Sequence, residues 1–258
     1  MKKILFTAQI GMACLSLISA HAQFGAGGGN PGMGAPQGPK FDGTMAQFFG
    51  EHTAFSASLQ MEIKAADKAE PLRMPGKLDF DQGKTRWEMD MAEMKTAQVT
   101  PETAAMLKNM GLSRISLITL PGKKTTLMVY PDKKAYVEMP MESGKSQAAA
   151  KPEDYKTETT ELGKDTVDGH PCVKNKMVVT DKEGKKQEAT VWNATDLKKF
   201  PVKIQYAEEQ GNAITMSFKN VNAAKPAANR FDAPIGFTKY NSIMELMMSS
   251  MGGMLPGQ

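Results

Sequence analysis

Cysteine and histidine are nearly missing from this chain. The 258 residues hold two cysteines, Cys14 and Cys172, and three histidines. If the N-terminal segment is removed as read below, only Cys172, His52 and His170 remain. One cysteine cannot form an internal disulfide, so stability must come from buried surface. Zinc needs three or four ligands. The one cluster of soft ligands, Asp168-Gly169-His170-Pro171-Cys172, supplies two. That excludes a metal site there and reads instead as a turn at Gly169 and Pro171, with Cys172 starting a strand as a small buried residue. No serine sits in a Gly-x-Ser-x-Gly elbow. No glycine loop follows a strand and opens a helix, as phosphate binding requires. Adjacent carboxylates such as Glu208-Glu209 diverge on a strand or turn, unlike a glycosidase pair. We therefore expect no enzyme and no cofactor. Only two tryptophans are present, and no aromatics interleave with basic residues, so nucleic acid is not an expected partner.

Long apolar runs are also scarce. The one that stands out opens the chain, MKKILFTAQIGMACLSLISAHAQ. Lys2 and Lys3 give a positive start, an apolar stretch follows, and Ala20-His21-Ala22 fits a cleavage site. Residues 1–22 read as a secretory signal peptide cut before Gln23, which implies a periplasmic or otherwise secreted protein. The alternative of a lipoprotein acylated at Cys14 has a poor Gly11-Met12-Ala13 lead-in. No later run is long enough to span a bilayer. Losing Lys2 and Lys3 takes the net charge from +4 to +2, which demands no anionic partner. Residues 23–43 are rich in Gly and Pro and read as a flexible tether.

What the chain has in excess is methionine: 21 in all, and 19 once Met1 and Met12 are gone, against 11 Phe. Met is flexible and polarizable, and suits surfaces that adapt to irregular apolar partners. It also serves as ordinary core filler.

The remaining pattern is mostly β. Residues 55–65, FSASLQMEIKA, alternate strictly, with Phe55, Ala57, Leu59, Met61, Ile63 and Ala65 on one side. Residues 75–91 read as a hairpin turning at Asp81-Gln82-Gly83-Lys84, with Trp87, Met89 and Met91 alternating on its second arm. SRISLITL, KTTLMVYP and KAYVEMPM follow as strands, then CVKNKMVVT, KKQEATVWNA, FPVKIQYAE and NAITMSFKN. Residues 142–156 read as a polar mobile loop. A short helix is expected around Met45, Phe48 and Phe49. TPETAAMLKNMG predicts another, capped by Thr100, opened by Pro101 and stopped at Gly111. In the tail, 241–258, Ile243, Met244, Met247, Met248 and Met251 form an apolar stripe on a helix that then frays.

These elements predict a mainly β domain over 44–240 with a few helices. About ten meander-connected strands form a curved antiparallel sheet, a half-closed barrel wrapped around short helices. Such an interior either fills with its own side chains or holds a lipid-like ligand. The expected ligand-binding residues are Leu59, Met61, Trp87, Met89, Met106, Met110, Met139 and Met247. The expected partner is a lipid or acyl chain. An envelope protein docking on the C-terminal helix is the alternative, with the interior then a filled core.

Several segments carry a family resemblance. They are GKLDFDQGKTRWEM with its Arg86-x-Glu88, TLMVYPDKKAYVEMP, ELGKDTVDGHPCVKNKMVV before VWNATDLKKFPVKIQY, and the closing RFDAPIGFTKY. Together they resemble the outer-membrane lipoprotein carrier superfamily (LolA/LolB-like) and related exported bacterial domains of unknown function, over roughly residues 45–245. The resemblance implies a curved antiparallel sheet around short helices with a hydrophobic cavity, and, for the carriers themselves, acyl-chain binding and transfer. No position here matches the carriers' functional arginine, so none is assigned.

Overall fold

Local sequence signals place most elements. The computed structural model describes residues 43–65, 70–94, 100–141, 154–208 and 211–252. All of them belong to one compact unit, Phe41–Gln258. The expected signal peptide and all of the tether but Gly43 lie outside the described residues. The first helix, α1, is Gly43–Gln47. Strands β1 (Ala54–Lys64), β2 (Leu72–Asp81) and β3 (Lys84–Asp90) follow. The β2–β3 turn needs positive φ at two positions, and Gln82 and Gly83 supply 50° and 85°, the pairing a two-residue hairpin favours. Helix α2 is Pro101–Asn109. Thr100 caps it by accepting from the Thr103 N–H, Pro101 opens it, and Gly111 leaves it at φ 66°, as its sequence predicts.

Strands β4 (Arg114–Leu120), β5 (Thr125–Tyr130) and β6 (Ala135–Pro140) are joined by two 3-10 turns, each opened by proline. Strands β7 (Tyr155–Val167), β8 (His170–Asp181), β9 (Lys186–Ala194), β10 (Phe200–Ala207) and β11 (Ala213–Asn222) make the second half. They are followed by β12 (Thr238–Tyr240) and helix α3 (Ile243–Gly252). All twelve strands form one sheet in the order β12-β6-β5-β4-β3-β2-β1-β11-β10-β9-β8-β7. The sheet is curved and mainly antiparallel. It does not close into a barrel: β12 and β7 are its edges.

The structure corrects or adds to the sequence reading at three places. Strand β7 was not expected, and the polar loop predicted to reach 156 gives way to it at Tyr155. Its residues YKTETTELGKDTV are nearly all exposed. As an edge strand with little burial on either face it has no apolar alternation to read, and its charges suit an unpaired edge. Strand β12 is three residues long and pairs parallel with β6, the one departure from antiparallel pairing among the described strands. On α3 the residue that packs inward is Leu246, 1% exposed, whereas Met244 and Met248 of the expected stripe are exposed. With Ile, Met and Leu spread over more than one side of this helix, its inward face is chosen by the neighbouring edge rather than by periodicity.

Between β11 and β12, residues 223–237 form a strap that leaves the strand beside β1 and arrives beside β6, so it traverses the intervening strands. Phe231 of the strap is buried among Ile118, Leu120, Leu127 and Val129, with Tyr136 and Phe237 packed alongside.

Candidate ligand-binding face

Strand register divides the sheet into two faces of different composition. The first face is the apolar side of β1. Across the sheet its rows read Phe55–Phe80–Thr85–Thr119–Thr126–Met139, then Ala57–Leu78–Trp87–Leu117–Met128–Val137, then Leu59–Gly76–Met89–Ile115. In the other direction Leu59 meets Phe218, and Met61 leads through Met216 and Ile204 to Val191. Every methionine of a described strand falls on this face: Met61, Met74, Met89, Met128, Met139, Met177 and Met216.

Helices cover this face. Phe49, following α1, has its ring 4.9 Å from Phe55, 5.6 Å from Phe80 and 5.5 Å from Phe218. Such contacts add to simple area burial. Tyr240 of β12 extends the Trp87 row past Val137, and its hydroxyl accepts from Ser249 of α3 at 3.2 Å. Helix α3 thus sits at the β12–β6 edge of the same face. Helix α2 stands beside the 3-10 turn Met91–Glu93, at the end of β3, with Leu107 buried.

The expected ligand-binding residues separate into two groups. Leu59, Met61, Trp87 and Met89 lie on neighbouring rows of the first face, at 1, 2, 2 and 5% exposure. Their surroundings are closed over them in this structure. Met139 shares that face, half-buried on β6. Met106 is half-buried on α2, Met110 is half-buried at its C-terminal cap, and Met247 is half-buried on α3. Sequence reasoning did not single out Met74, Met128, Met177 and Met216, although each follows from alternation once its strand is registered.

Two polar tips stand out on this apolar face. The Tyr130 hydroxyl donates to the Met128 thioether at 3.0 Å, a weak acceptor. Burial pushes its pKa up to about 12. The Trp87 Nε1–H is buried with no hydrogen-bond partner among the described residues. Gly76 makes room for it. A Cβ built at Gly76 would lie 2.5 Å from Trp87 Nε1 and 2.4 Å from the Glu88 carbonyl oxygen.

The opposite face carries charge and branched or aromatic apolar residues. Ser56 donates to Asp79 Oδ1 at 2.7 Å, and Arg230 Nε donates to Asp79 Oδ2 at 2.8 Å. Glu88 Oε1 accepts from Arg86 at 2.6 Å and from Arg230 at 2.9 Å. The Arg86-x-Glu88 and Phe231–Phe237 segments singled out in the sequence therefore meet here, fixing the strap. Asp81 is buried nearby. Burial alone would raise its pKa, but Lys84 and Lys225 outweigh that and hold it below the usual carboxylate range. This second covered face was not read from sequence. The continuous run Ile115–Leu120, buried or nearly so at every residue, is the signal that marks a strand covered on both sides.

At the other candidate cluster, His170 Nδ1 lies 2.8 Å from Asp196 Oδ2, and Cys172 Sγ donates to the His170 carbonyl at 3.3 Å. Burial pushes the thiol pKa up, opposite to what a nucleophilic thiolate needs. No group of three or more His, Cys, Asp or Glu side chains among the described residues could hold a metal. No described helix is long and apolar enough to cross a membrane.

No curated protein matches the chain. Solved structures similar to it include an uncharacterized conserved protein from Thermus thermophilus, at 9% identity over 77% of this chain and 97% of that one, with a TM-score of 0.41. A LolA superfamily protein from Nitrosomonas europaea is 8% identical over 74% of this chain and 96% of that one, at 0.34. The Mycobacterium tuberculosis lipoprotein LppX is 11% identical over 73% and 96%, at 0.39. A family model covers residues 55–200, from β1 to the first residue of β10, and by that match the chain belongs to the DUF4412 family, a domain of unknown function.

Proposed function

We propose that this protein is an exported envelope binding or carrier protein for a hydrophobic ligand, a lipid or an acyl chain, held against the methionine-bearing face of the sheet. The observation that carries the proposal is the contrast between the two faces. The strap-covered face is packed with Ile, Leu, Val and Phe, side chains that define one fixed arrangement. The helix-covered face takes every methionine of the described strands. Flexible thioethers can re-pack around an irregular apolar guest at little cost. In this structure they are closed over one another, so entry requires them and a covering helix to move. Helix α3, at the open β12–β6 edge, is the lid in this reading, with Met247 on it. Each 100 Å² or so of apolar surface removed from water contributes about 2.5 kcal/mol before ordering costs.

Native mass spectrometry and solvent extraction of the purified protein test this reading. Bound or exchangeable lipid supports it. A protein that carries none and takes up none when offered laurate contradicts it.

One observation favours a second reading, an envelope interaction module with a filled core. Met244 and Met248 are 47 and 66% exposed, one turn apart on α3, and would suit a partner protein. Deleting residues 241–258 separates the two readings. Loss of a partner with lipid uptake intact favours the module. Altered lipid uptake or release favours the lid.

A further inference from the structure

We infer that Trp87 Nε1 is a polar anchor on the methionine-bearing face, and that the ligand it anchors carries a carbonyl oxygen, as an acyl ester or amide does. The inference rests on the ligand-binding reading above and adds the chemistry of the ligand's polar end.

Trp87 is 2% exposed, and its indole N–H has no acceptor among the described residues. A buried donor left unpaired costs about 1–3 kcal/mol. Such groups are rare in native proteins and call for a specific cause. Its row neighbours, Leu78 and Leu117, are aliphatic, so the indole N–H is the one donor among them. The chain provides a glycine, Gly76, against which the pyrrole edge of the ring is seated. The other tryptophan behaves as expected for a buried indole. Trp192 Nε1 donates to Asp165 Oδ2 at 2.8 Å.

The second polar tip agrees. Tyr130 shares the face and donates only to a thioether. Both tips are therefore donors lacking an oxygen acceptor, and no carboxylate or lysine stands in the rows through Trp87 and Met89. A guest that supplies an uncharged acceptor and an apolar chain matches both properties. The oxygen would satisfy Trp87 while the chain follows the methionine rows.

Two probes of equal chain length isolate this contact: methyl laurate, which has an ester, and tetradecane, which does not. The ratio of their affinities is measured in the natural protein and in Trp87→Phe, which keeps an aromatic ring but removes the donor. The ratio should fall about fivefold in the variant, the size of one ordinary hydrogen bond. An unchanged ratio with both probes still bound overturns the anchor and leaves the binding reading standing. Failure of both probes to bind the natural protein overturns the binding reading itself. Indole 15N–1H resonances give a readout that does not depend on the variant folding. With two tryptophans in the chain, methyl laurate should shift the Trp87 resonance and leave Trp192 in place, and tetradecane should cause a smaller shift at Trp87. Equal shifts with both probes overturn the anchor.

Discussion

Arg230 Nε donates to Asp79 Oδ2 at 2.8 Å across 151 residues of sequence. This contact ties the strap after β11 to β2, and Arg230 also reaches Glu88 on β3. Asp79 is largely buried while Arg230 is partly exposed, so solvent screens the pair and its net worth is modest. A double-mutant cycle of Asp79→Asn and Arg230→Gln should give a coupling of about 1 kcal/mol in denaturant unfolding. Phe231→Ala, which empties the apolar seat of the same strap, should cost more, about 3 kcal/mol. Additive effects of the first pair would show that the Asp79–Arg230 contact does not help to hold the strap.

Gly76 is required by its neighbours rather than by its backbone angles. A Cβ there meets a backbone oxygen at 2.4 Å and the Trp87 ring at 2.5 Å, and the backbone oxygen belongs to a paired strand and cannot swing aside. Gly76→Ala should lower stability by about 2 kcal/mol, read as a fall in the urea midpoint. Shrinking the ring with Trp87→Leu should recover only part of that loss, because the clash with the Glu88 carbonyl remains. Full recovery would place the whole clash at the ring.

Much of the fold was legible because burial and alternation coincide. The turn at Gln82-Gly83, the Thr100 cap and the Phe55–Met61 face all follow from residue type and spacing. Strand β7 was not legible because an edge exposed on both sides buries nothing periodic. The strap was not legible because Arg230 and Phe231 act through partners far away in sequence. On the candidate face, alternation points to Trp87 and Met89. Only register shows that Gly76 lies beside them and that the remaining strand methionines share their side.

Tyr130 should mark the alkaline limit of stability. Its ionisation is raised from 10 to about 12 by burial. A tyrosine whose folded pKa is raised contributes its full stabilisation below the unfolded value and loses it as pH rises through the folded one. The contribution, about 3 kcal/mol by that shift, should therefore disappear between pH 10 and 12. Tyr130→Phe should unfold less steeply over that window than the natural protein when urea midpoints are compared at each pH. Identical pH profiles would mean that the hydroxyl is solvated in the folded state.

The central claim is that the methionine-bearing face opens to admit an apolar guest. Methionine-methyl 13C NMR of the purified protein, titrated with methyl laurate, tests it most directly. The account predicts shifts at Met61, Met89, Met128 and Met216, assigned by single Met→Leu variants, with Met248 on the exposed side of α3 moving least. Shifts confined to Met244 and Met248, with the inner methyls unmoved at saturation, would contradict it.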